Sequence, residues 1–364
     1  MSEKLLSVDH LQMRFKNPHN RAQTVHAVDD VSFTVAPGEI LGVVGESGSG
    51  KSTIGRCILG LEKPSDGSIH FGGRDLTKHS LLRNRRDIAK QLQVVFQDPY
   101  SSLNPFRTIG QTLAEPLQAA LRLSDKQADA RARDMLETVG LPRAAADRFP
   151  GQFSGGQRQR IGIARALIMQ PQLVVLDEAV SALDLSTQAQ ILNLLAQLAK
   201  ERGLAYIFIA HDLDVVRYIS HRTLVLYRGR IMEQGPAGDV HSAPLHPYTA
   251  ALNAAAPVTD PVEQRRRRTA RAAAATAATA ATAATAAAAA SATPPSPASP
   301  ATPATGQLGC PFAARCAFAQ EVCLTKRPAD TPVGERTVAC HMYDATSGHT
   351  RLGAGMPAAE LIAS

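Results

Sequence analysis

Residues 45 to 52 read Gly-Glu-Ser-Gly-Ser-Gly-Lys-Ser, with the apolar run Ile40 to Val44 directly before them and a helix-compatible run, Ser52 to Leu59, directly after. A strand, a glycine-rich turn and a helix start, in that order, commit this part of the chain to a phosphate-binding loop. The glycines Gly45, Gly48 and Gly50 keep Cβ atoms out of the way, so that backbone N–H groups converge on phosphate oxygens. The helix start adds unpaired donors and the positive end of its dipole. Lys51 is placed to reach the β- and γ-phosphates, and the Ser52 hydroxyl to take a position on Mg²⁺. Glu46, Ser47, Ser49 and Thr53 complete the candidate nucleotide contacts of this loop. The pattern implies a nucleoside triphosphate as ligand and says nothing yet of what its hydrolysis drives.

Two further segments supply groups that a triphosphate site needs. Leu173 to Leu176 is an apolar run of strand length that ends in two carboxylates, Asp177 and Glu178. Asp177 is expected to hold Mg²⁺ from the side opposite Ser52. Glu178, one residue on, is free of the metal and can polarise the attacking water. Upstream, Ser154-Gly155-Gly156-Gln157 opens a helix predicted to run to about Met169. It is a second glycine-rich helix start, hence a second anion site. One triphosphate does not need two such sites from one chain. The arrangement makes sense if two chains face each other and each offers this segment to its partner's nucleotide.

The surrounding pattern sorts into a large α/β unit and an appendage. Ser7 to Phe15 and Val31 to Val35 alternate apolar and polar residues, as half-buried antiparallel strands do. Pro37-Gly38 and Ser65-Asp66-Gly67 read as turns. From about 108 to 145 the pattern is helical, with Ser124 and Gln127 forming a capping box, and Gln188 to Lys200 is an amphipathic helix. Tyr206 to Ala210 is another buried strand. Strands alternating with helices predict a parallel sheet covered on both faces, in a domain over 1–262 that also holds an antiparallel β subdomain and a helical subdomain over about 100–165. Beyond it, Thr276, Thr279, Thr282 and Thr285 recur in poly-alanine and are followed by Pro294, Pro295, Pro297, Pro300 and Pro303. A three-residue period makes no apolar stripe on a helix, so 263–306 reads as a linker.

A small module over 307–345 and a tail over 346–364 close the chain. The module carries Cys310, Cys316, Cys323 and Cys340, with five, six and sixteen residues between them. Cys57 stands apart and is expected in the core. No apolar run approaches the roughly eighteen residues a membrane span requires, and Glu3 and Asp9 interrupt any secretory pattern at the N-terminus. The protein is therefore expected in the cytosol, where disulfides are disfavoured and four clustered cysteines suggest thiolate ligation. An iron–sulfur cluster, zinc and plain thiols all stay open, because the spacing is not that of a paired zinc ribbon. The net charge of +7 is partly local, in Arg265 to Arg268 and Arg271 at the edge of the linker. With 4% aromatic residues and no Trp there is little for nucleic-acid bases to stack on.

Taken together these segments resemble the ABC-type ATPases. Ser154-Gly155-Gly156-Gln157 is similar to the family's signature sequence and lies where the family has it, before the Asp-Glu strand. Gln97 resembles the family's glutamine loop, Ser181 to Asp184 its segment at the dimer interface, and His211, directly after a buried strand, its switch histidine. The resemblance implies that Gln97 senses Mg²⁺ and γ-phosphate and that His211 stabilises charge on the phosphoryl group. It also implies that Phe15 stacks on adenine, although a core phenylalanine is the alternative. Two departures are Phe153, where the family has Leu, and Ala179, where it commonly has Pro.

Gln97 to Pro105, His246 to Ala250 followed by Ala256-Pro-Val, and the four-cysteine module resemble the oligopeptide/dipeptide and nickel branch of importers. That branch implies ATP and Mg²⁺ as ligands and a second, related ATPase subunit. It also implies two membrane permease subunits, an extracytoplasmic solute-binding protein, and a place on the cytoplasmic face of the membrane. The alternatives are the same motor serving nickel or another solute, and a soluble ATPase of this type acting on nucleic acid.

Overall fold

The structure is a computed structural model, and it describes residues 4–16, 24–77, 87–97, 103–255 and 308–352. The chain packs as two units, 1–13 with 27–230, and 14–26 with 231–364. The first unit begins with most of β1 (Leu6–Lys16) and of β2 (Thr24–Val35), then β3 (Ile40–Val44), α1 (Lys51–Ile58), β4 (Asp66–Phe71), β5 (Arg74–Asp75) and β6 (Leu92–Val95). It continues with α2 (Ile109–Leu121), α3 (Asp125–Thr138), α4 (Gly155–Leu167), β7 (Leu173–Asp177), α5 (Leu185–Arg202), β8 (Ala205–Ala210), α6 (Leu213–Ile219) and β9 (Arg222–Tyr227).

β1, β2, β4 and β5 form one four-stranded sheet in the order β2-β1-β4-β5. β1 runs antiparallel to β4, with Leu6 opposite Phe71 and Val8 opposite Ile69. Their alternating burial is that of a sheet with one face on the core and one in water. Within this unit the strands of the second sheet run in the order β9-β3-β8-β7-β6, and β3 pairs parallel with both its neighbours. β3 is its centre, paired with β8 from Ile40–Tyr206 to Val44–Ala210 and with β9 from Leu41–Arg222 to Val44–Val225. All five residues of β3 and all six of β8 are buried. Unbroken apolar runs of this kind are what a parallel sheet covered on both faces demands. The C-terminal ends of β3, β7 and β8 therefore lie side by side, and the chemistry-bearing residues follow directly after them.

The segment after β6 is helical because its starts are capped. Thr108 closes a capping box with Gln111 at the head of α2, and Ser124 does so with Gln127 at the head of α3. Arg133 on α3 binds both Asp129, one turn back, and Asp147. Each of these exposed pairs adds a fraction of a kcal/mol, of order 0.2–1, so α3 is held mainly by its buried Ala128, Ala132, Met135 and Leu136.

The second unit carries β10 (Arg230–Pro236), α7 (Ala237–Ser242), α8 (Pro247–Ala255), α9 (Glu321–Thr325), β11 (Asp330–Val333) and β12 (Arg336–Ala339). β12 pairs antiparallel with both β10 and β11. Glu233 on β10 is fully buried. Its carboxylate accepts hydrogen bonds from the backbone N–H groups of Leu245 (3.0 Å) and His246 (2.9 Å), with Arg336 3.6 Å away. Burial alone would penalise that charge heavily, and the paired donors and the guanidinium are what make it tolerable. His246 is buried too, and desolvation pushes its imidazole down to about 3. It stays neutral, its Nδ1 accepting from the Tyr248 N–H at 3.0 Å. The Phe312 ring lies against both His246 and Tyr248, with centroids 6.0 and 5.4 Å away. The run His246 to Ala250 is thus a packing partner of the cysteine module.

That module's hydrogen bonding continues past residue 345. His349 is buried and bonds to the Phe318 carbonyl at 3.1 Å, and Thr350 and Gln320 exchange two hydrogen bonds. The linker over 263–306 lies outside the described residues. Among the described residues, no helix is long and apolar enough to cross a membrane.

Candidate functional site

The loop after β3 is folded back on itself by close backbone approach. A Cβ on Gly45 would stand 2.1 Å from the Leu226 carbonyl oxygen, and one on Gly50 would stand 2.2 Å from that of Ala27. Gly50 also has φ +103° and is the N-cap residue of α1, with no side chain capping the helix. The first N–H groups of α1 are therefore left for a ligand. Lys51 is 4% exposed, and its Nζ donates to the carbonyls of Gly45 (2.7 Å) and Glu46 (2.9 Å). Burial lowers its pKa, and Glu178, Asp177 and Glu46 oppose that shift. The ammonium lies tucked beneath a loop whose Ser47 and Gly48 face solvent.

The carboxylates come from the next strand but one. The Ser52 hydroxyl donates to Asp177 Oδ1 at 2.9 Å, tying the first turn of α1 to the end of β7. Burial raises the Asp177 pKa, and the hydrogen bond from Ser52 works against it. A cation beside this pair would relieve the desolvation, so two hard oxygens side by side suit Mg²⁺. The Gln97 Nε2 donates to Glu178 Oε2 at 2.8 Å, and His211 Nδ1 lies 4.0 Å from the same oxygen. Thus Lys51, Ser52, Gln97, Asp177, Glu178 and His211 converge, although they span 161 positions of the chain (211 − 51 + 1). Thr53 follows on the same helix and is half-buried.

Other candidate residues are elsewhere. Ser154 caps α4, its Oγ accepting from the Gln157 N–H at 3.3 Å while the Gln157 side chain accepts from the Ser154 N–H at 3.0 Å. Ser154, Gly155 and Gln157 are exposed, and Gly156 half so. Phe153 is buried beneath the Arg148 guanidinium, 4.5 Å from its ring centroid, so Phe fills this apolar position. Asp184 caps α5, and Leu185 beside it is 85% exposed. Phe15 is 38% exposed and belongs to the second unit.

In the cysteine module all four thiols are free. Burial pushes Cys310 up to about 11 and Cys340 up to about 12, and the charges of the neighbouring cysteines add to each shift. The Cys310 N–H donates to the Cys323 carbonyl at 2.8 Å. Among the described residues, however, no three His, Cys, Asp or Glu side chains are arranged to hold a single metal ion. Cys57 is core, pushed to about 12 by burial.

Sequence reasoning missed the groups that shape the site through their backbone. The carbonyls of Ala27 and Leu226 press on the loop glycines, and the Gly229 N–H donates to Ser49 O at 2.8 Å. Main-chain atoms carry no residue signature.

Comparison with known proteins agrees with this geometry. The ABC transporter family model matches residues 28–181, and that of the oligopeptide/dipeptide transporter C-terminal region matches 232–283 and 278–323. The oligopeptide transport ATP-binding protein OppF of Bacillus subtilis is 48% identical over 268 residues, covering 73% of this chain and 87% of that protein. AppF of the same organism, also an oligopeptide transport ATP-binding protein, is 42% identical over 320 residues, covering 88% of this chain and 90% of its own. A dimeric, post-hydrolysis structure of the ATP-binding cassette MJ0796 with ADP and Pi superposes with a TM-score of 0.57 at 29% identity, over 64% of this chain and 98% of that one. A phosphate loop joined to two strand-end carboxylates, with these relatives along most of its length, places the chain among the ATP-binding subunits of ABC transporters, in the group that carries the oligopeptide/dipeptide C-terminal region.

Proposed function

We propose that this chain is the ATP-hydrolysing subunit that powers peptide import through a membrane ABC transporter. The observation that carries the reading is the convergence of Lys51, Ser52, Gln97, Asp177, Glu178 and His211 at the ends of β3, β7 and β8. ATP lies along the loop 45–52, where backbone N–H groups of the loop and of the start of α1 meet its phosphates. Lys51 exchanges the carbonyls of Gly45 and Glu46 for β- and γ-phosphate oxygens, which repays the burial of its charge. Ser52, Asp177 and Gln97 would hold Mg²⁺, which would neutralise charge on the β- and γ-phosphates. Glu178 orients and polarises water for in-line attack, while Lys51 and His211 stabilise charge developing on the phosphoryl oxygens. Ser154, Gly155, Gly156 and Gln157 lie exposed at a helix start, with donors to offer to the nucleotide of a second ATPase subunit, a related chain forming a heterodimer.

Coupling to the membrane falls to the segment after Gln97. A cleft of about 640 Å³, lined by Gln93, Asn104, Arg107, Glu115 and Arg165 among others, flanks β6 just upstream of Gln97. We assign it to a permease subunit, so that nucleotide sensed at Gln97 is felt at the transport path. The chain then sits on the cytoplasmic face of the membrane as a peripheral subunit, with a solute-binding protein delivering cargo from the other side. Peptide is favoured over nickel by the oligopeptide transport proteins to which the chain is similar. Proteoliposomes holding both permeases, the partner ATPase and this chain test the reading. They are expected to take up peptide only with ATP inside and the loaded solute-binding protein outside. Uptake of nickel in place of peptide, or ATPase activity driven by nucleic acid, would overturn it.

The four cysteines we assign to a [4Fe–4S] cluster with a structural or regulatory role. The intervals of five, six and sixteen residues are not those of a paired zinc ribbon. A four-thiolate cluster needs no fixed short spacing between its cysteines. A metal centre would also supply the positive charge that lets such desolvated thiols ionise. Anaerobic purification followed by iron, sulfide and zinc analysis is expected to return about four irons per chain. Metal-free protein with four titratable thiols would sink the assignment.

A further inference from the structure

Glu178 has a backbone that its side chain does not favour. β7 pairs with β8 through Asp177 opposite Ile209, and the Glu178 N–H extends the ladder by one bond to the Ile209 carbonyl at 3.0 Å. The chain then leaves the sheet through Glu178 itself, which has φ +48°. A residue with a Cβ resists the left-handed region and adopts it only where its surroundings impose it. Any relaxation of this turn would swing the carboxylate, because rotation about φ of Glu178 carries the side chain with it.

In related ATPases a proline commonly follows the glutamate and stiffens this turn; here Ala179 stands in that place. Ala179 and Val180 are buried at 2% and 3% exposure, and neither has a side chain that can hydrogen-bond. The polar restraint comes from Ser181. Its N–H donates to the Glu178 carbonyl at 3.2 Å and its Oγ donates to the same oxygen at 2.9 Å. The carboxylate end is held separately, by Gln97 at 2.8 Å.

We infer that Ser181 is a positioning residue for hydrolysis in this chain: its hydroxyl locks the left-handed turn at Glu178 and so aims the carboxylate at the attacking water. The inference rests on the assignment of Glu178 proposed above. The hydroxyl contributes nothing to the parallel sheet, and the Ser181 N–H bond survives its removal. What is lost is the second hydrogen bond on the Glu178 carbonyl, and with it the fixed direction of the side chain.

The test uses the assembled transporter and compares Ser181→Ala, Ser181→Thr, Glu178→Gln and the double variant Ser181→Ala/Glu178→Gln. Ser181→Ala is expected to lower kcat about three- to tenfold, the range set by one net hydrogen bond, with KM for ATP unchanged and the protein still folded at the assay temperature. Ser181→Thr, which keeps the hydroxyl, is expected to restore kcat. In the Glu178→Gln background, Ser181→Ala is expected to cost nothing further, because the group it aims is already gone. Wild-type kcat in Ser181→Ala, with Glu178→Gln inactive, overturns the role of Ser181 alone. Full turnover in Glu178→Gln instead overturns the assignment of Glu178. If the double variant forms the ATP-closed pair more weakly than Glu178→Gln does, Ser181 acts through a contact with the partner subunit and the inference fails.

Discussion

Replacing Glu178 by Gln is expected to slow ATP turnover by about a thousandfold while leaving ATP binding within a fewfold of wild type. General-base assistance to the attacking water is worth about 10² to 10⁴ in rate, and the amide cannot supply it. Binding is spared because the groups that hold the phosphates keep partners of their own. Lys51 bonds to Gly45 and Glu46, and Ser52 bonds to Asp177, all independently of the Glu178 carboxyl. An amide oxygen at 178 can still accept from Gln97, now 2.8 Å from Glu178 Oε2. The variant should therefore close around ATP and stay closed. Single-turnover hydrolysis, together with sizing of the ATP-bound form, checks both halves of the expectation. A variant that turns over normally would remove Glu178 from the chemistry and return the role to Asp177 or His211.

Most of this site was legible because its parts are local. β3, β7 and β8 are continuous apolar runs bounded by turns, and the candidate site residues follow each run within eight positions. The head of α3 was readable from Ser124 and Gln127 for the same reason, since a capping box is a local hydrogen-bond pattern. Strand order was not. Ile40 pairs with Tyr206 and Leu41 with Arg222, across more than 150 intervening residues, and nothing in a five-residue run names its neighbour. Backbone conformation at Glu178 was equally hidden, because the left-handed turn belongs to a residue type that seldom takes it.

The second unit shows a different kind of concealment. Glu233 follows Ile231-Met232 in β10 and is fully buried. Its partners, the N–H groups of Leu245 and His246 and the guanidinium of Arg336, are drawn from both sides of a long linker. The order of the module beyond residue 345 is likewise carried by His349 and Thr350, whose bonds reach back about thirty residues to Phe318 and Gln320. Polar residues in a tail give no sign from sequence that distant carbonyls and amides await them.

Gly50→Ala is expected to weaken ATP binding by about a hundredfold or more, and Gly48→Ala by only about tenfold. Both glycines lie in the left-handed region, at φ +103° and +77°, so a side chain at either position incurs conformational strain of about 1–2 kcal/mol. At Gly48 that is the whole cost, because nothing stands within 4 Å of an added Cβ. At Gly50 the Cβ would be 2.2 Å from the Ala27 carbonyl oxygen, a backbone atom of the strand that flanks the loop. That contact cannot be relieved by a rotamer change, so the loop itself must shift. Gly50 is the N-cap residue of α1 and the neighbour of Lys51, and the shift moves the helix-start N–H groups and the ammonium together. Displacements near 1 Å in such positioning groups cost about a factor of a hundred. Thermal denaturation should show both variants folded, since the sheet behind the loop is untouched, and titration with a fluorescent ATP analogue reads the difference between them. Equal affinities in the two variants would mean that the strand carrying Ala27 does not clamp the loop, and that strain alone makes these positions glycine.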